Sequence, residues 1–214
     1  MNRRTLSLAL AAAATLVLSA CGSDEAPSAS KDTIEGAETG DSTKKESPTA
    51  EPSKAAGRPE ITLPDDVDNV FEGWKTGDKT KDAILADLEQ NVDAMSDAIV
   101  RGDTDSPKVA FYRQGDALVS AGKWVQAWLD EDVSYTGTIR YYQPSVVLSG
   151  DKSAGVSYCA DESKAFNKNR TTGKVDKTSE DSPLVSYAMQ MRKNDDGVWQ
   201  ALEGFSKRGD AKCE

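Results

Sequence analysis

The sequence predicts an α+β domain, with amino-terminal helices packed on a curved antiparallel sheet and a disordered linker in front of it. Three observations carry this. Apolar residues recur at helical spacing from Val67 to Leu129. From Val133 onward the period changes to two. Between Gly22 and Leu63 the only large apolar residues are Ile34, Ile61 and Leu63. The expected organisation is a leader over 1–20, a modified cysteine and linker over 21–63, and one domain over 64–214.

The leader comes first in the chain. Asn2, Arg3 and Arg4 form a short positive region, and Thr5 to Ala20 is apolar or small throughout. Sixteen helical residues span about 24 Å, short of a hydrocarbon core of about 30 Å. A removable signal peptide fits better than a membrane span. The stretch ends Leu18-Ser19-Ala20-Cys21-Gly22, which resembles the bacterial lipobox. That resemblance implies cleavage between Ala20 and Cys21 and a diacylglycerol thioether on Cys21. Two acyl chains give stable anchoring where one gives only reversible binding. The formal net charge is −10, and a leader carrying only Arg3 and Arg4 leaves −12 once removed. Such a chain is repelled by nucleic acid and by anionic head groups, so nucleic acid is not an expected partner and lipid must supply any attachment.

The linker is built from small, polar and charged residues and has no aromatic. It cannot bury enough apolar surface to offset the entropy of ordering. Pro27, Pro48, Pro52 and Pro59 interrupt any helix.

Within the domain, Asp65 or Asp66 can cap a short helix showing Val67, Val70, Phe71 and Trp74. Gly77-Asp78 breaks and restarts the chain. Ile84, Leu85, Leu88, Val92, Met95 and Ile99 then share one face of a long amphipathic helix, with Asp87, Glu89, Asp93 and Asp97 elsewhere on the turn. Gly102 closes it. Ser106-Pro107 starts a short helix, and Ala117 to Leu129 marks a third. Tyr135, Ile139 and Tyr141 begin the strands, and Pro144 suggests a bulge or edge. Ser149 to Lys152 reads as a hairpin turn. Val156, Tyr158 and Ala160 follow on one side of a strand. The polar stretch 161–183 reads as a long loop or exposed hairpin. Val185 to Met191 alternates, Asn194 to Gly197 turns, and Trp199, Ala201 and Phe205 form the last strand. This order resembles the cone-shaped fold of nuclear transport factor 2 and ketosteroid isomerase, in architecture only.

Cys159 and Cys213 remain once Cys21 is set aside. Export places them in an oxidising compartment, and two cysteines allow one intramolecular bridge. Free thiols or an intermolecular bond are the alternatives. With no histidine in the chain, Ser-His-Asp, Cys-His and histidine-metal sites are excluded. Asp103-Thr104-Asp105 lacks the later residues of a calcium loop. Asn169-Arg170-Thr171 fits the glycosylation sequon, a pattern that arises often by chance. No catalytic residue, metal or cofactor is expected. Trp124, Trp128, Tyr135, Tyr141, Tyr158, Tyr187 and Trp199 are candidates to line the mouth of a cone pocket. Apolar patterning favours a filled core for the same residues.

Several segments resemble a group of uncharacterised actinomycete lipoproteins. They include Val70-Phe71-Glu72-Gly73-Trp74, Tyr158-Cys159-Ala160-Asp161-Glu162-Ser163, Asn169 to Val175 and Ser206 to Cys213. The resemblance implies a secreted, lipid-anchored domain on the outer face of the cell membrane and supports the Cys159–Cys213 pairing. It implies no activity or substrate. The expected function is a non-catalytic binding domain for an envelope protein or small molecule. The alternatives are a small isomerase or hydrolase with a carboxylate in a cone pocket, or a structural envelope spacer.

Overall fold

A computed structural model describes residues 57–178 and 182–214. The leader, Ala20, Cys21 and the linker up to residue 56 lie outside the described residues. The chain docks earlier than the sequence suggests. Arg58 already pairs with Asp87, and Ile61 and Leu63 pack against the core.

The elements are β1 (Val67–Phe71), α1 (Lys79–Arg101), α2 (Pro107–Tyr112), α3 (Gly115–Asp130), β2 (Val133–Leu148), β3 (Ser153–Asn169), β4 (Val175–Asp176), β5 (Leu184–Lys193) and β6 (Trp199–Arg208). The helices lie on an unclosed sheet of order β1-β2-β3-β5-β6, with β4 paired to β3. No helix among the described residues is long and apolar enough to cross a membrane.

One expectation needs correction. The short helix at 67–74 is instead strand β1. It runs parallel to β2, from Val67 opposite Gly137 to Phe71 opposite Tyr141, so the sheet is mixed rather than antiparallel. Val67, Asn69 and Phe71 turn inward at period two, and covering the free edge of β2 outweighs five residues of isolated helix. Gly137, opposite Val67, also lets β2 approach β3 closely. Its φ is 102°, and a Cβ there would sit 2.1 Å from the Lys164 carbonyl oxygen. Of the two alternatives for 161–183, the hairpin is found, β3 turning back into β4 with Lys168 opposite Val175. β3 continues to Asn169, paired with β2 as far as Val133.

α1 starts at Asp78, whose carboxylate accepts from Thr80 N at 2.8 Å and Lys81 N at 3.0 Å. It ends on left-handed Gly102. Its apolar face meets the sheet through Ile84, Leu85, Leu88, Tyr158, Met191 and Trp199. The supposed polar face is also buried. Asp87 and Asp97 are each 3% exposed, neutralised by Arg58 in one case and by Arg101 and Lys108 in the other.

The sequon segment is a clamp. Arg170 donates from Nε to Val133 O at 2.8 Å and from Nη1 to Val100 O at 2.9 Å, and from Nη2 to Ile99 O. It thereby satisfies the terminal carbonyls of α1 and ties them to β2. Asn169 Nδ2, where a glycan would attach, donates to Asp132 at 2.9 Å. Arg170→Ala is expected to lose about 2 kcal/mol, since hydrogen bonds from a charged group contribute about 1.5–3 kcal/mol each when buried and less when half-exposed. Denaturant melts check this. A loss confined to a few tenths would deny the clamp.

On the opposite face of the sheet, Cys159 bonds Cys213 with Cα atoms 5.6 Å apart. Tyr142 donates to Cys213 O, and Ser186 Oγ donates to Asp210 at 2.7 Å. Together they hold the carboxyl-terminal tail on the sheet.

Candidate functional site

The joint between α2 and α3 delivers one cation to the helix-covered side of the sheet. Arg113 ends α2, its N–H donating to Val109 O at 2.9 Å. The next residue is laced to β6. Gln114 N donates to Ala201 O at 3.0 Å, and Gln114 Nε2 donates to Gln200 at 3.0 Å. Gln200 in turn donates to Phe111 O at 2.7 Å. Buried Asn91 of α1 fixes the Arg113 side chain. Its Nδ2 donates to Tyr112 O at 2.8 Å while its Oδ1 accepts from Arg113 Nε at 3.0 Å. Among the described residues, Arg113 has no carboxylate within ion-pair distance. Its two Nη groups likewise have no protein acceptor.

Tyr158 of β3 and Tyr187 of β5 are register partners and stack with centroids 5.0 Å apart and planes 10° from parallel. Burial lowers the Arg113 guanidinium pKa, and the two phenols act against that shift. Burial also pushes both phenols well above the usual tyrosine range, so they stay protonated donors. Glu162 and Arg208 form the rim, paired at 2.6 Å, and Tyr187 feels both charges. Gly204 to Arg208 of β6 are exposed, leaving this end of the concave face open.

The other proposed lining residues are dispersed. Trp199, 1% exposed, is core. So is Tyr141, stacked on Phe71 at 5.1 Å. Tyr135 is buried and packs against Trp128 at 6.0 Å. Trp124 stands on the outside of α3, 56% exposed. Tyr158 is likewise buried, 4% exposed, and of the proposed lining residues only it and its stacked neighbour Tyr187 act on the Arg113 pKa. Arg113, Asn91, Glu162 and Arg208 were missed. Arg113 falls between a tyrosine and a Gln-Gly turn, where a sequence pattern reads a loop. Its one local signal is a cation among residues otherwise suited to a core.

The two most deeply buried carboxylates are committed to structural pairing. Asp87 and Asp97 are held in ion pairs, and Asp87 also accepts from Trp199 N at 2.8 Å. Asp93 accepts from Asn69 at 2.8 Å. Glu89, one turn away on α1, is pushed up to about 7 by burial and then by Asp93, with Lys75 opposing. Its proton is held more tightly in the fold than in the open chain. Ionising it therefore removes stability as pH rises from about 4.5 through about 7. With solvent screening at this half-buried site, the loss is about 1–2 kcal/mol. Glu89→Gln is expected to raise the melting temperature at pH 8 and to flatten the pH 5–7 slope. Parallel melts of the two proteins with an unchanged slope would refute this.

The sheet's other face carries an open, shallow groove of about 350 Å³ lined by Val147, Gly155, Ala188 and Phe205 among others. It holds no charged group.

No protein-family model matches the sequence, and no curated protein matches it. Solved structures with a similar fold include a ketosteroid isomerase-like protein from Erwinia carotovora atroseptica, at 19% identity and TM-score 0.41, covering 58% of this chain and 95% of that one. An NTF-2-like protein of unknown function from Shewanella oneidensis is similar at 14% identity and TM-score 0.37, over 56% and 96% of the two chains. The intermembrane space region of chloroplast protein ARC6 is similar at 13% identity and TM-score 0.39, over 63% and 99%. What these proteins share with the chain is helices laid on a curved sheet.

Proposed function

We propose that this chain is an extracytoplasmic lipoprotein, anchored through Cys21, whose domain is a non-catalytic binding module with its site on the concave face. The observation that carries the binding reading is Arg113, fixed at Nε by Asn91 and without a protein acceptor at either Nη among the described residues. The two most deeply buried carboxylates, by contrast, serve structural ion pairs. Such a site holds a ligand without supplying a base to transform it. The Cys159–Cys213 bridge supports an exported setting, because structural disulfides persist in oxidising compartments. The positive leader and Leu18-Ser19-Ala20-Cys21 support the anchor.

Intact-mass measurement of the membrane-extracted protein, alongside fractionation of Cys21→Ala, tests the anchor. The expected mass is that of a chain beginning at a diacylated Cys21, and the variant should leave the membrane fraction. An intact leader, or a variant that stays with the membrane, would overturn the reading.

A further inference from the structure

We propose that the concave face binds a small organic monocarboxylate, its carboxylate gripped by Arg113 and its apolar body laid against Tyr187, which the buried Tyr158 backs. This rests on the reading of the domain as a binding module and adds the ligand's chemistry. The Nη edge of a guanidinium presents parallel N–H groups that match the two oxygens of a carboxylate. Asn91, itself tied to Tyr112 O, takes Nε and leaves both Nη groups without a protein acceptor among the described residues. A single charge is on offer. Glu162 and Arg208 neutralise one another at the rim, so one positive charge remains for the ligand. A monoanion balances it, whereas a phosphate dianion would leave excess negative charge in an already acidic chain.

The walls are aromatic. Trp74 meets Tyr158 edge-on at 5.3 Å, and Tyr158 stacks on Tyr187. Half-buried Tyr187 therefore offers ring surface at the opening. The hydroxyls of Tyr158 and Tyr187 have no protein partner among the described residues and can donate to a ligand oxygen. Access lies over the exposed end of β6, where Gly204 and Ser206 keep the wall low.

Calorimetric titration of the full chain carrying Cys21→Ser tests this with 3-phenylpropionate, its neutral amide and inorganic phosphate. The carboxylate is expected to bind one to one, at least tenfold more tightly than the amide or phosphate. Arg113→Lys should weaken it tenfold or more. Ser206→Glu, an exposed substitution on the strand beside Tyr187, should do the same without lowering the melting temperature, and it decides the matter if Arg113→Lys unfolds. An amide that binds as tightly as the acid, or a carboxylate affinity indifferent to Ser206→Glu, overturns the carboxylate while leaving a binding module. Phosphate binding alone points to an inorganic or phosphorylated anion and also overturns it. Binding of none of the three removes this ligand class and leaves the anchor to the Cys21 measurements.

Discussion

Asp87→Ala is expected to lower stability by about 4 kcal/mol. The carboxylate is buried and joins three parts of the chain. Arg58 approaches it from the incoming segment with Nε at 2.9 Å and Nη2 at 3.0 Å. Trp199 N, at the start of β6, donates to it at 2.8 Å. Removing it strands a half-buried guanidinium and a buried N–H together. Breaking a buried ion pair costs about 3–5 kcal/mol, and the partial exposure of Arg58 places this case towards the lower end. An orphaned amide adds about 1 kcal/mol or more. The melting temperature should fall by roughly 8–16 °C for a domain of this size. Asp87→Asn keeps an acceptor for Trp199 and should lose about half as much. Equilibrium unfolding of both variants checks the division, and a loss below about 1 kcal/mol for Asp87→Ala would show the pair to be incidental.

Removing the disulfide is expected to have a similar effect through the unfolded chain. The bridge closes a segment with a sequence separation of 54 residues, for which loop entropy gives about 4 kcal/mol. Cys159→Ser with Cys213→Ser should therefore lower the urea midpoint and free the tail held by Tyr142 and Ser186. Hydrogen exchange along residues 206–214 should accelerate beyond that of β3. Reduction of the native chain should reproduce both changes. A midpoint that does not move would place the pinning in packing instead.

The fold was legible where pattern and burial agree. α1 and α3 follow from period 3.6, and β5 and β6 from period two around the Asn194–Gly197 turn. Val67–Phe71 was misread because its apolar spacing suits both a helix turn and a strand. Only the free edge of β2, a tertiary fact, decides between them. In the sequence, β3 beyond Asp161 stays open between a loop and an exposed hairpin, because its charged side chains suit both. Asp87 and Asp97 were placed with the polar residues of α1. The Asp87 counter-ion lies 29 residues away along the chain, a separation that no local period encodes, and Asp97 pairs with Lys108, 11 residues on, as well as with Arg101 one turn along. The site was legible only in Tyr158 and Tyr187. Arg113 gains its meaning from Asn91, 22 residues earlier, and from strands later in the chain.

The central claim is that the concave face is a binding site built on one uncommitted guanidinium. Nuclear magnetic resonance of Arg113 side-chain N–H signals, recorded while 3-phenylpropionate is added to the oxidised chain, tests it most directly. The account predicts saturable shifts at the Arg113 Nη groups and at the Tyr187 ring, with the Arg170 signals unmoved. Arg113 resonances that stay fixed while other surface groups respond would contradict it.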